Sequence, residues 1–239
     1  MRTLGIVGGG RWAQIIDRVA NKNQYTTQFY THNNQIGSVD NLLSLDSNHV
    51  WIANSPDDHY ASAVELLSDH RHLLIEKPFV RSLEQHDHLV ELAKQNDCKL
   101  VVGLELEYSN RIQEIADQID QQPKTINIVW NSENNTERHG KLYVSDPTIS
   151  VLEDIGPHVL TILRKIIKKD SCQILQTTQT PRGVFWLLDF AGTIVSVDFE
   201  RDSANKRTIN IDDKIYEFAQ DDGKSLDRHL DAFVNGVVL

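Results

Sequence analysis

The sequence is poor in cysteine, in positive charge and in long apolar runs. Two cysteines among 239 residues are too few for a disulfide scaffold, so a reducing cytoplasm is the expected location. No window approaches the roughly 18 apolar residues of a membrane span, and an apolar strand begins near residue 1, so neither a span nor a signal peptide is expected. The net charge of -10 excludes non-specific nucleic-acid binding, which needs a basic face. We expect a globular protein that binds a small molecule, without a metal site.

A glycine-rich turn follows the first apolar run. Residues 3–7 are typical of a buried strand, Gly8-x-Gly10-x-x-Ala13 comes next, and apolar spacing over residues 15–20 favours a helix. Strand, glycine turn and helix in this order form the phosphate cradle of dinucleotide-binding folds, although an ordinary glycine-rich turn is the alternative. The predicted cofactor contacts in this turn are Gly8, Gly10, Arg11 and Trp12.

The choice of cofactor depends on the end of the second strand, predicted at residues 26–31. Preference for NAD usually rests on an acidic side chain here, and none is present. Thr31, His32 and Asn33 offer neutral or weakly basic groups that could accept a 2'-phosphate. The sequence therefore favours NADP slightly over NAD, with a solvated turn as the alternative.

Strands and helices alternate up to about residue 103, which predicts a doubly wound parallel sheet of the Rossmann type. Ligands of such sheets bind beyond the carboxyl ends of the strands, where Ser55, Lys77 and Glu105 fall. Gln121-Gln122-Pro123 marks a predicted domain boundary. We therefore predict a dinucleotide-binding domain over residues 1–120 and a substrate and oligomerisation domain of class α+β over residues 121–239.

The second domain is predicted to hold an open, mainly antiparallel sheet with helices on one face. A helix is expected to open at Asp154 to Pro157, and five strands follow it, the second and third joined by a hairpin at residues 190–193. Residues 184–188 are apolar on both faces of their strand. One face can cover the helix, and a sister subunit is the simplest cover for the other, which predicts a homo-oligomer.

Four motifs in order resemble those of the glucose–fructose oxidoreductase / inositol dehydrogenase (Gfo/Idh/MocA) family, in a short variant. They are Gly8-x-Gly10-x-x-Ala13, Asn54-Ser55-Pro56 with His59, Glu76-Lys77-Pro78, and Asp154-x-Gly156-x-His158. The resemblance spans nearly the whole chain. It implies a Rossmann domain joined to an open-sheet domain, and hydride transfer between NAD(P) and a carbonyl, alcohol or imine carbon, often on a sugar.

The resemblance also implies roles for individual residues. Lys77, Asp154 and His158 would form the catalytic set, with Lys77 and His158 touching the substrate. The cofactor's nicotinamide half would be bordered by Asn54, Ser55, Pro56, His59, Glu76 and Lys77.

The chemistry can also be argued from the residues themselves. Oxidation of an alcohol by hydride loss requires that the hydroxyl proton leave as well, and an imidazole suits that task near neutral pH. We expect His158 in the first turn of its helix, where the helix dipole disfavours the cation, with Asp154 orienting the ring and Lys77 stabilising charge on oxygen. The alternatives are that Asp154 is only a helix cap, that His158 is a half-buried core histidine and that Lys77 pairs with a nearby acid.

Two acids and one threonine depart from the family pattern. Glu105 and Glu107 follow the strand that ends at Gly103, where relatives often carry histidine or asparagine and then arginine, and Thr161 stands near the place of a common aspartate. If Glu105 or Glu107 faces the substrate pocket, an anionic sugar acid is disfavoured and a cationic or imine substrate is favoured; otherwise both acids are paired or solvated. These departures leave open a second function, a catalytically inactive NAD(P)-binding sensor or oligomer partner.

Overall fold

A computed structural model describes residues 2–31, 38–39, 41–133, 136–138, 141–143, 149–218 and 223–236, with backbone only at 38–39, 136–138 and 141–143. Within these residues it contains six α-helices and fourteen strands. The strands are β1 Arg2–Val7, β2 Tyr25–Tyr30, β3 Ser38–Val39, β4 His49–Ile52, β5 His72–Glu76, β6 Leu100–Gly103, β7 Thr125–Ser132, β8 Thr136–Arg138, β9 Lys141–Tyr143, β10 Cys172–Gln179, β11 Gly183–Phe190, β12 Thr193–Arg201, β13 Lys206–Ile211 and β14 Lys214–Glu217. The helices are α1 Arg11–Lys22, α2 His59–Ser68, α3 Leu83–Gln95, α4 Asn110–Asp117, α5 Val151–Ile167 and α6 Ser225–Asn235.

The chain divides into two units, one formed by residues 1–104 with 226–239 and the other by residues 105–225. None of the helices in the described ranges is both long enough and apolar enough to cross a bilayer.

The first unit is built on a six-stranded parallel sheet in the order β3-β2-β1-β4-β5-β6. The order reverses beside β1, so a crevice opens at the carboxyl ends of β1 and β4, where doubly wound folds bind their ligands. Helices α2 and α3 pack on one face and α1 on the other. The predicted Rossmann-type sheet is confirmed.

The last helix differs from its predicted assignment. The sequence places α6 in a second domain of residues 121–239, whereas the structure packs it on the α1 face of the first unit. Leu226, Leu230 and Phe233 are buried there at helical spacing, and Lys22 forms a 2.9 Å ion pair with Asp227. An amphipathic pattern shows that a helix buries one face, but it does not reveal which sheet covers that face.

The predicted boundary near residue 121 also differs from the structure. The second unit begins at Glu105, and α4 buries Ile112 and Ile115 in that unit's core. Gln121-Gln122-Pro123 is therefore a turn within the second unit, where Gln122 donates to the Ala191 carbonyl at 2.6 Å.

The second unit contains a six-stranded sheet in the order β10-β11-β12-β7-β13-β14. The β7–β12 pair is parallel and the other pairs are antiparallel, so the mainly antiparallel sheet is confirmed. Ala191 and Gly192 form the predicted hairpin turn with φ of 53° and 90°. A second, two-stranded antiparallel sheet pairs β8 with β9.

Strand β11 alternates in burial along its length. Val184, Trp186 and Leu188 are buried on the face that α5 covers, whereas Phe185 and Leu187 on the other face are partly exposed. The apolar character of both faces is therefore real, and the sister subunit as a cover for the second face stays a prediction.

Candidate functional site

The turn between β1 and α1 is shaped by Gly8. Its φ of 128° is a conformation that other residues rarely adopt, and a Cβ there would lie 2.6 Å from the Ala53 carbonyl oxygen. The Gly8 N–H donates to the Tyr30 carbonyl at 2.9 Å, and the Ala53 N–H donates to the Val7 carbonyl at 2.8 Å. The turn is thus fixed between the ends of β2 and β4, and only glycine fits at its first position.

Gly10 ends the turn in a different way. It is the N-cap residue of α1 with an ordinary φ of -73°, and a Cβ there would meet no atom within 4 Å. Among the described residues no side chain caps α1, and its first turn carries no acid. The amide N–H groups of Arg11 and Trp12, the first two helical residues, lie at the positive end of the helix dipole, where the helix itself provides no acceptor for them. This arrangement fits the pyrophosphate of a dinucleotide.

The loops after β4 and β5 are tied together by His59. This residue is 1% exposed, and its Nδ1–H donates to the Pro78 carbonyl at 3.0 Å, next to the cis peptide bond between Lys77 and Pro78. Burial lowers the pKa of His59, although hydrogen bonds with nearby backbone oppose the shift. Asn54 donates to Ser62 Oγ at 3.0 Å, which fixes the start of the loop after β4. Contact of these residues with a nicotinamide stays a prediction.

Glu76 ends β5 with a buried carboxylate. Its side chain is 8% exposed and accepts a hydrogen bond from Trp51 Nε1 at 2.9 Å. A Cβ at Gly103 on the neighbouring strand would lie 2.8 Å from the Glu76 carboxyl carbon, so the absence of a side chain there leaves room for the acid. Lys77 follows directly, at the carboxyl edge of the same sheet as the glycine turn. Sequence reasoning treats Trp51 only as part of a buried strand; its signal is an indole N–H that needs a buried acceptor.

Part of the predicted cofactor site lies outside the described residues. Thr31 directly follows β2 and is 6% exposed. His32 and Asn33 fall outside the described residues, so the basis for preferring NADP stays a prediction.

In the second unit, α5 begins at Val151, six residues before the predicted Pro157. Ser150 is its N-cap and forms a capping box with Glu153, whose backbone N–H donates to Ser150 Oγ at 3.2 Å. The prediction that Asp154 and Pro157 start the helix is therefore wrong. Asp154 is the fourth helical residue, and Pro157 lies inside the helix.

His158 consequently lies in the third turn of α5, as its eighth residue, and not in the first turn. Because the dipole effect decays within one turn, the helix N-terminus does not explain the state of this imidazole. The ring is stacked on Trp130 of β7, with centroids 5.9 Å apart and an angle of 23°, and the residue is 8% exposed. Arg207 lies over the same indole, 4.6 Å from its centroid. The ring plane of His158 is thus set by packing against an aromatic surface.

Asp154 lies one helical turn before His158 and on the same face of α5. Its Oδ2 accepts a hydrogen bond from Nη2 of Arg201, the last residue of β12, at 3.2 Å. Sequence reasoning missed Arg201, since the two residues are 47 positions apart and no motif links them.

Gly156 lets α5 approach the sheet closely. A Cβ at this position would lie 2.8 Å from Cη2 of Trp186 on β11. The glycine of the Asp154-x-Gly156-x-His158 motif therefore has a packing role, because it lets the helix pack closely against Trp186.

The two acids that depart from the family pattern lie on a short 3-10 helix, Glu105–Tyr108. Glu107 forms an ion pair with Lys165 of α5, with Oε1 and Nζ 3.3 Å apart, so for Glu107 the paired alternative holds. One carboxylate oxygen of Glu105 is buried. Both acids belong to the second unit, not to the Rossmann unit, and contact of Glu105 with a substrate stays a prediction.

Comparison with known proteins supports this geometry. Residues 4–104 match the model of the oxidoreductase family with an NAD-binding Rossmann fold, GFO_IDH_MocA. The matched residues include nearly all of the parallel sheet of the first unit. YceM of Salmonella typhimurium, itself assigned to the oxidoreductases only provisionally, is 31% identical over 87 residues, which cover 36% of this chain and 28% of YceM.

Solved structures extend the likeness to both units. Dehydrogenase MviM from Clostridium difficile has a TM-score of 0.80 at 16% identity over 99% of this chain and 90% of its own. GenD2 of gentamicin A biosynthesis, solved with NAD, has a TM-score of 0.80 at 15% identity over 100% of this chain and 88% of its own. UDP-N-acetylglucosamine 3-dehydrogenase GnnA from Acidithiobacillus ferrooxidans has a TM-score of 0.78 at 15% identity over 98% of this chain and 88% of its own. At these identities the likeness shows the fold alone, which both units of this chain share with these dehydrogenases.

Proposed function

We propose that this protein is an NAD(P)-dependent oxidoreductase that transfers hydride between the nicotinamide and an alcohol, carbonyl or imine carbon of a sugar-like small molecule. The observation that carries the proposal is the turn at Gly8 and Gly10, which only glycine can form at its first position and which leads into a helix N-terminus that no described side chain caps. A nicotinamide dinucleotide bound there would supply or accept the hydride. The match of residues 4–104 to a family model with an NAD-binding Rossmann fold supports the same cofactor class.

Lys77 is proposed to act on the reacting oxygen. It follows β5, two strands from β1 in the sheet order and so about 10 Å away across the sheet, on the edge where such folds bind ligands. An ammonium group stabilises the negative charge that develops on a carbonyl or alkoxide oxygen. Glu76, fixed by Trp51, holds the end of the strand that presents this lysine.

His158 is proposed to move the proton. Loss of hydride from an alcohol yields a carbonyl only if the hydroxyl proton also leaves, and a stacked, oriented imidazole can accept it; in reduction it gives the proton back. Asp154, one turn away, favours the protonated ring electrostatically.

For the cofactor we propose NADP or NAD, with NADP slightly preferred, since the sequence has no acid directly after β2. Titration of the protein with NADPH and with NADH, followed by nicotinamide fluorescence, measures this preference. At least a threefold lower Kd for NADPH is expected, and a lower Kd for NADH would refute the preference.

Deuteride transfer tests the reaction. The protein is incubated with NADPH or NADH deuterated at the transferred position and with a panel of keto-sugar nucleotides, ketones and cyclic imines, and products are searched for a mass increase of one unit. Lys77→Met should lower turnover by about 1000-fold while the cofactor Kd stays within about threefold. Lys94→Met, which removes an exposed lysine of α3, is the matched control. Tight cofactor binding without turnover on any substrate would instead favour the inactive sensor.

We also propose that the protein is a homo-oligomer in the cytoplasm. The face of the second sheet opposite α5 carries partly exposed Phe185 and Leu187 beside Ile194, which is 42% exposed, and a second copy is the proposed cover. Sedimentation should show a dimer that Ile194→Asp dissociates. Ile174→Asp, on edge strand β10 and on the other face, should not change the mass.

A further inference from the structure

We infer that Arg201 is a positioning residue, which holds Asp154 ionised and fixed in direction one helical turn from His158. The inference rests on the proposed function for its consequence in turnover. The electrostatic coupling between Arg201, Asp154 and His158, all in the second unit, can be measured without a substrate.

The position of Arg201 is unusual for an arginine. Its side chain is 10% exposed, and its Nη2 contacts the carbonyl oxygens of Ile149 and Ser150 at 3.1 and 3.4 Å in addition to Asp154 Oδ2 at 3.2 Å. These groups surround the N-terminus of α5, where the helix dipole disfavours a cation. A buried guanidinium at this end of a helix needs a negative partner, and Asp154 is that partner.

The contact has a direct effect on Asp154. A charge-assisted hydrogen bond from a guanidinium favours the ionised carboxylate and restricts its rotation. The Cβ atoms of residues four apart on a helix lie about 5–6 Å apart, so the fixed charge lies close to His158. Asp154 is also only 21% exposed, which limits screening by water.

Other charged groups near this helix start have different partners. The Glu153 carboxylate accepts from the Ser150 N–H at 2.9 Å and from Ser150 Oγ at 2.8 Å, and it lies about 140° around the helix from His158. Arg207 of β13 is over the Trp130 indole. Within the described residues, Arg201 is therefore the basic side chain that contacts the acid of the motif.

The consequence concerns where the substrate proton goes. If a bound nicotinamide accepted the C–H hydride of an alcohol, the O–H proton would go to His158 and a C=O bond would form. A carboxylate kept ionised by Arg201 does not compete for that proton, and it stabilises the imidazolium that results. In reduction the same imidazolium returns the proton to oxygen.

Proton NMR of the His158 ring tests the coupling, with the signal assigned by its loss in His158→Gln. Arg201→Met should raise the pKa of His158 by about one unit, because a nearby cation is lost, and Asp154→Asn should lower it by about one unit. Arg201→Lys should stay close to wild type. Glu153→Gln, which keeps the capping box, is the matched control and should shift the ring by less than 0.2 units.

The double variant Arg201→Met with Asp154→Asn guards against a folding defect, since it removes both charges and leaves neither buried alone. Its His158 titration should return close to that of wild type. In kinetics, Arg201→Met should lower kcat by about 10- to 100-fold with little change in KM, and Arg201→Lys should recover most of that loss.

A His158 titration unchanged in both single variants would overturn the inference even if the wild-type protein turns over. Shifts of the expected sign in a protein without turnover would support the coupling and refute the proposed function instead. The two failures are therefore distinguishable.

Discussion

The two units present their candidate functional groups in opposite ways. In the first unit the cradle is formed by backbone: a positive-φ glycine, a glycine whose added Cβ would meet no atom, and a helix start that no described side chain caps. In the second unit the polar group is side chain: an aspartate held by a distant arginine and an imidazole stacked on an indole. A site formed by backbone accepts only small residues at its key positions, whereas a site formed by side chains depends on partner residues from several strands. The first is thus sensitive to added atoms and the second to lost charges.

The largest expected effect is at Gly8, and Gly10 is its matched control. Gly8→Ala forces a Cβ against the Ala53 carbonyl at a strained φ, so the free energy of unfolding should fall by about 3 kcal/mol and cofactor binding should be lost. Gly10→Ala fits its backbone and should change stability by less than about 0.5 kcal/mol, while its methyl group weakens cofactor binding about 10-fold or more. Urea unfolding and NADPH titration measure both. Equal stability losses in the two variants would contradict the account.

The next effect tests whether the stability of the first unit also depends on the charge of a side chain. His229 of α6 lies 1% exposed, edge-on to Trp51 with ring centroids 5.6 Å apart, and burial lowers its pKa to about 4. The unfolded chain, with a histidine pKa near 6.5, binds a proton first as pH falls, so stability is full above pH 6.5 and declines towards pH 4. Between pH 7 and 5 this histidine should remove about 2 kcal/mol from the free energy of unfolding.

His229→Phe should abolish that part of the loss, as measured by urea unfolding at both pH values. Burial and the nearby His72 and Lys99 lower the pKa of His49 to about 4. His49 therefore keeps part of the pH dependence of stability in the variant. His86→Gln, on the surface of α3, should leave the dependence as in wild type. An unchanged slope in His229→Phe would show that α6 does not bury a neutral imidazole.

A smaller effect is expected where α5 begins. Ser150→Ala removes the cap and should lower the free energy of unfolding by about 1 kcal/mol. Ser82→Ala, which removes the cap of α3 in the first unit, should cost a similar amount. Only Ser150→Ala should also reduce kcat, since it loosens the turn that carries Asp154. A loss of kcat in both variants would mean that the effect on turnover does not come specifically from the start of α5.

The smallest effect is expected at Gly156, with a sign that depends on Trp186. Gly156→Ala gains about 1 kcal/mol of helix propensity but brings a Cβ against the indole, for a net loss of about 0.5 kcal/mol. In a Trp186→Phe background the contact atom is gone, and Gly156→Ala should become stabilising. The indole Nε1 has no hydrogen-bond partner among the described residues, so the phenylalanine itself forfeits no such bond. A double-mutant cycle of unfolding free energies measures the coupling.

The difference between the units also explains what sequence could predict. Apolar runs and alternation predicted the parallel sheet, the five strands after α5 and the hairpin at residues 190–193, because burial imposes those patterns locally. The glycine turn was also predictable from local sequence, because a positive φ and a close backbone approach require a glycine at that position. The family resemblance, confirmed for residues 4–104, begins at this turn.

Features that depend on distant partners were not predictable. Gly156-Pro157 suggests a helix start because proline favours the first helical position, yet Ser150 and Glu153 satisfy the free backbone groups nearly two turns earlier. Arg201 reaches Asp154 only through the pairing of β12 within its sheet, and α6 returns to the first unit by packing that its own pattern does not specify. Such contacts are set by tertiary structure rather than by spacing.

Cofactor binding to the unmodified chain tests the central claim most directly. NADPH and NADH are titrated separately into the protein, and energy transfer from tryptophan to the reduced nicotinamide is recorded. The account predicts saturation with a Kd of about 1 μM to 1 mM for at least one cofactor, abolished in Gly8→Ala. No saturation by either cofactor well above 1 mM, with the protein folded, would contradict it.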